Sequence, residues 1–126
     1  MGFEIVSLGQ VAITVASVAR AKDFYTDVIG LEHLFDAGPN LVFLSAKNVR
    51  IMLTAPENEF NPGNNSVLYF KVDNVDSAHQ SATAKGAQDA GAPHMIAEMS
   101  DHELWMGFVK DPDGNLVGFM EERPLS

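Results

Sequence analysis

The residues most able to do chemistry cluster late in the chain, in Ser100-Asp101-His102-Glu103 followed by Trp105. A histidine flanked by carboxylates can act as a general acid or base near neutral pH. The sequence reading places His102 in a polar loop leading into Trp105, where a solvated role competes with a catalytic one. His33, His79 and His94 read as surface or boundary residues at strand starts or on a helix. Nucleophile motifs, a phosphate-cradling loop and Gly-x-Gly-x-x-Gly are all missing from the sequence. With no cysteine, disulfides, thiolate metal sites and a cysteine nucleophile are excluded. Trp105 could stack on a flat or cationic ligand or pack at a subunit contact. Met95, Met99, Met106 and Met120 supply adaptable thioether chains, suited to a ligand cup or to filling core gaps.

These side chains sit on a framework legible from hydrophobic periodicity. Val11, Ile13 and Val15 alternate with Gln10, Ala12 and Thr14, the period of a strand. Ser17 is placed to cap a helix whose stripe is Val18, Ala21, Phe24, Tyr25 and Val28, and Gly30 stops it. The same grammar returns about 57 positions later, with Gln10 and Val67 in equivalent places. Residues 67–72 read as a strand, Asn74 as the cap, Val75, Ala78 and Ala82 as the stripe, and Gly86 as the stop. Three strands follow each helix, predicted at 32–35, 41–45 and 49–54, then at 94–98, 105–110 and 115–120. Gly38-Pro39-Asn40, Lys47-Asn48 and Asp111-Pro112-Asp113-Gly114 are the turns between them.

The prediction is therefore an α+β chain of two βαβββ modules, forming a cup-shaped mixed sheet with helices on its outer face. It is read as a single domain over 1–126, with a first module over 8–57, a linker over 58–65 and a second module over 66–122. An internal repeat of this kind is a strong organisational signal.

Length and charge bound the partners. A chain of 126 residues can bury one sizeable core. A formal charge of −9 repels phosphate backbones, so nucleic acid is not expected as a partner, and cations are favoured over anions. No apolar run approaches the roughly 20 residues of a membrane helix. The first residues carry no basic segment, so a secretory signal is not expected. A cytoplasmic location is the expectation, and the Asn64-Asn65-Ser66 sequon reads as chance.

The order of elements resembles the vicinal oxygen chelate superfamily, which includes glyoxalase I, bleomycin-resistance proteins and extradiol dioxygenases. The resemblance runs over roughly Leu8 to Glu122. Residues 10–15, Ala21-Lys22-Asp23-Phe24-Tyr25, Val28-Ile29-Gly30-Leu31 and Phe108-Val109-Lys110-Asp111-Pro112-Asp113-Gly114-Asn115 carry it. It implies the fold rather than an activity. Superfamily enzymes hold a divalent metal with four side chains, two per module, and the resemblance places those positions on Gln10, Met52, Val67 and Gly118. Only Gln10 offers an oxygen, so no metal ligands and no cofactor are expected.

If those positions face the cup, alternation places their strand neighbours there too. The expected ligand-binding residues are Gln10, Thr14, Arg50, Met52, Val67, Tyr69, Trp105, Gly118 and Met120, with no catalytic residue assigned. Gly107 and Val109 are expected on the same wall. The favoured function is metal-independent binding or sequestration of a small organic ligand, cationic or aromatic, similar to bleomycin-resistance members. The alternative is a glyoxalase-type lyase or isomerase with a divergent metal site. A third reading is an interaction module with a vestigial cup. The resemblance further implies a homodimer.

Overall fold

A computed structural model describes residues 3–56 and 59–125. Glu57 and Asn58, where the sequence reading places the boundary between first module and linker, lie outside the described residues, as do Met1, Gly2 and Ser126. The chain forms two compact units, Met1–Asn61 and Pro62–Ser126. Each unit is one βαβββ module.

In the first unit the strands are β1 (Gln10–Thr14), β2 (Glu32–Asp36), β3 (Leu41–Ala46) and β4 (Val49–Thr54), in the order β1-β4-β3-β2. β1 runs parallel to β4, and the other pairs are antiparallel. The helix α1 (Val18–Asp23) starts where expected, with the Ser17 side chain accepting from the Arg20 N–H at 3.2 Å. It continues as a π-helical turn, Phe24–Val28, closed by Ile29 N–H to Phe24 O and Gly30 N–H to Tyr25 O, both at 3.1 Å. Gly30 then takes φ +96, a conformation that favours glycine and ends the helix.

Alternation sorts each strand into two faces. Ile13, Val15, Val42, Leu44, Ile51 and Leu53 are buried with Val18, Ala21, Phe24 and Tyr25 of the helical segment. A fully buried leucine or valine contributes about 1.5–3 kcal/mol, so this face carries the module's stability. Gln10, Ala12, Thr14, Arg50, Met52, Thr54, Phe43 and Phe35 fall on the opposite face.

The second unit repeats the plan. Its strands are β5 (Leu68–Lys71), β6 (Gln88–Glu98), β7 (His102–Lys110) and β8 (Leu116–Pro124), ordered β5-β8-β7-β6, with β5 parallel to β8. The helix α2 (Val75–Ala84) is capped by Asn74, whose side-chain oxygen accepts from Ser77 N–H at 3.0 Å. The Val75 N–H of its first turn donates to Glu121 at 2.8 Å. Asp111 is buried in the turn before β8, where its carboxylate accepts from the backbone of Asp113 and Asn115 and from the Asn115 amide.

Three strands run three or more residues beyond their predicted limits. β6 begins at Gln88 despite Gly91 and Pro93, and its register slips at three places. It is an edge strand, where a missing N–H costs no ladder bond and bulges are tolerated. β7 begins at His102, so this histidine belongs to a strand and not to a loop. β8 continues to Pro124, opposite His102. Among the described residues, no helix is long and apolar enough to cross a membrane.

Candidate functional site

On the first module, the strand ladders bring Gln10, Arg50 and Met52 together on the face away from α1. Gln10 pairs with Arg50 across β1 and β4, and Met52 follows two residues on. The Gln10 amide oxygen accepts from Arg50 Nε at 2.8 Å, while its amide nitrogen points to Met52 Sδ at 3.7 Å. The Arg50 guanidinium carbon also lies 5.1 Å from the centre of the Phe43 ring. Phe43 stacks on Phe35, centroids 4.6 Å apart and planes 24° apart. Thr14 lies on the same face, paired with Thr54.

Phe35 and Phe43 were not among the residues expected from the sequence. A signal for Phe43 was present. The two-residue turn Lys47-Asn48 sets Ala46 opposite Val49, and that register carries Phe43 opposite Met52.

On the second module, Tyr69 pairs with Gly118, and Gly118 with Phe108 on its other side. A Cβ built on Gly118 would fall 2.7 Å from Tyr69 Cδ2 and 3.2 Å from Phe108 Cε1. The two rings meet edge to face, centroids 5.9 Å apart. Met120 lies on this face, between Lys71 and Met106. Val67 stands just before β5.

Trp105 lies elsewhere. Continuous β7–β8 register pairs it with Glu121, whose carboxylate reaches the first turn of α2, so Trp105 sits on the helix-covered face. There the Arg123 guanidinium lies 3.8 Å above its ring and also bridges to Asp76 of α2 at 2.7 Å. Gly107 and Val109, expected on the wall, share that helix-facing parity and are buried. The observed face is opposite to the expected one, because Leu104 to Val109 is apolar at every position and alternation there does not distinguish the two faces. Partial burial alone would lower the Arg123 pKa; hydrogen bonds to Asp76 and Glu121 outweigh it and raise the value.

His102 takes the other parity, with Leu104, Met106 and Phe108. Its Nδ1 lies 2.7 Å from Asp101 and its Nε2 3.7 Å from Glu122, which also accepts from Lys71 Nζ at 3.0 Å. The second carboxylate beside His102 is thus Glu122, while Glu103 accepts from the Trp105 indole at 3.0 Å. His79 and His33 pair with Asp89 and Asp36 away from these groups.

The residues present do not fit a divalent metal at the superfamily's positions. The only hard donor, the Gln10 oxygen, is held by a guanidinium whose charge opposes a second cation. Val67 and Gly118 offer no donor. Among the described residues, no three His, Asp or Glu side chains converge to hold an ion.

Comparison with known proteins agrees with the architecture. The uncharacterized protein YraH of Bacillus subtilis (strain 168) is 26% identical, over 86% of this chain and 92% of its own. A superfamily member from Sphaerobacter thermophilus shares the fold at TM-score 0.78 and 24% identity, covering 94% of this chain and 98% of that one. A lactoylglutathione lyase from Agrobacterium tumefaciens does so at TM-score 0.74 and 21% identity, covering 93% and 94%. Residues 7–119 match the Glyoxalase/Bleomycin resistance protein/Dioxygenase superfamily along the whole two-module plan, and the chain belongs to it.

Proposed function

We propose that the protein binds a small organic ligand without a metal, on the sheet faces turned away from the helices. One observation carries this reading: the superfamily's metal positions are taken over by the protein's own side chains. Gln10 is held by Arg50 and Met52, and the Tyr69 ring stands against Gly118. What remains is a lining of rings and thioethers with a few polar anchors, the composition of ligand sites generally. On the first module Gln10, Arg50 and Met52 are the expected contacts, joined by Phe35; on the second module they are Tyr69 and Met120, joined by Phe108. A homodimer is what the resemblance implies, and sedimentation velocity checks it; a cytoplasmic setting accords with the cysteine-free sequence.

The test is thermal unfolding in excess chelator against a panel of flat aromatic compounds. A ligand at about 100 times its dissociation constant adds roughly 2.7 kcal/mol to the folded state. That amounts to a shift of several degrees for a domain of this size. Stabilisation that persists in chelator is the expected result. Stabilisation that requires an added divalent ion would instead favour the lyase or isomerase reading.

A further inference from the structure

We infer that the first module's sheet face recognises a carboxylate, with Arg50 as its anchor and the Phe35 ring, backed by Phe43, as the platform for a flat aromatic or conjugated body. This rests on the proposed metal-independent binding and names the ligand class for that face.

Arg50 is exposed yet oriented. Its Nε donates to the Gln10 oxygen at 2.8 Å, and its guanidinium lies 5.1 Å from the Phe43 ring centre. With Nε engaged, the two terminal amino groups form the remaining fork, the geometry that accepts both oxygens of a carboxylate. An arginine fixed in advance loses less entropy on binding than a mobile one.

The contrast with Arg123 is informative. Arg123 also lies over a ring, but Asp76 and Glu121 hold it at 2.7 and 3.1 Å. Acidic side chains outnumber basic ones 17 to 8, so a carboxylate for Arg50 would have been easy to provide. Among the described residues none pairs with it. The nearest carboxylate in register is Glu32, which lies across from Ser45, two strands away, and makes no ion pair with Arg50. The strand residues of this face include one cation, Arg50, and one carboxylate, Glu32, so they do not share the molecule's excess of negative charge.

The platform is built for a planar partner. Phe35 stacks nearly parallel on the buried Phe43 and is itself 47% exposed, leaving ring surface available on Phe35. An offset-stacked aromatic body beside a paired carboxylate uses both features at once.

The experiment compares 2-naphthoate, 2-naphthylmethanol and 2-naphthylmethylammonium by calorimetry in chelator, with wild type and Arg50→Met. Wild type should bind the naphthoate most tightly. Arg50→Met should weaken it roughly 10- to 100-fold, the loss of a charged hydrogen-bond pair, and should weaken the alcohol much less. The Arg50 Nε–H resonance should shift with naphthoate alone. If the ammonium or the alcohol binds as well as the naphthoate, or Arg50→Met is silent, carboxylate recognition is wrong and metal-free binding stands. If none of the three binds, carboxylate recognition is also wrong. If binding returns only with a divalent ion, the metal-free reading fails with it.

Discussion

The Tyr69 ring occupies the space that a side chain at position 118 would need, 2.7 Å from where the Cβ of residue 118 would be. Real Cβ atoms do not approach a ring carbon so closely, so glycine at 118 and tyrosine at 69 are coupled choices. Gly118→Ala should destabilise by about 1–3 kcal/mol through overpacking. The same change in a Tyr69→Ala background should cost much less. A double-mutant cycle by urea unfolding measures the coupling, and additive costs would show that the two positions are not coupled.

Trp105 supports the fold from the helix side. Arg123→Ala removes the contact over the indole and the bridges to Asp76 and Glu121, and should lower the urea midpoint. Trp105→Phe should lower stability without changing ligand affinity, whereas Tyr69→Ala should weaken binding. Calorimetry beside unfolding curves separates the two, and a ligand-affinity loss in Trp105→Phe would contradict this placement.

The framework was legible because local chemistry decided it. Ser17 and Asn74 cap their helices as their types and positions foretell, and Gly30 and Gly86 take the positive φ that helix ends favour. The face of β7 was not legible, because Trp105 and Met106 are both apolar and only pairing with β8 separates them. The length of β6 was hidden by Gly91 and Pro93, which read as breakers unless the strand is known to lie at an edge. Likewise, the contact of Arg50 with Gln10 joins positions 40 apart in sequence, so it emerges only once β1 and β4 are paired.

Acid should act through two surface carboxylates. Asp89 is held below its ordinary value of 3.8, first by the Gly91 backbone N–H and then by His79, and Asp36 is lowered chiefly by its hydrogen bond to His33. A depressed folded-state pKa gives stability that is full above the unfolded value and is lost as pH falls through the folded one. The wild-type melting temperature should therefore fall below about pH 4, and Asp89→Asn should flatten part of that slope. Carboxyl carbon NMR should give Asp89 a midpoint below 3.8; a midpoint at or above it would contradict the hydrogen bonds to Gly91 and His79.

The central claim is that the superfamily's metal positions bind no metal in this chain, and metal-dependent stability tests it most directly. Chelator-stripped protein is melted alone and with Ni²⁺, Mn²⁺ or Zn²⁺ up to saturation. An unchanged melting temperature across all three ions is the expected result. A saturable shift of several degrees with one ion, abolished by Gln10→Ala, would contradict the claim and give the lyase or isomerase reading precedence.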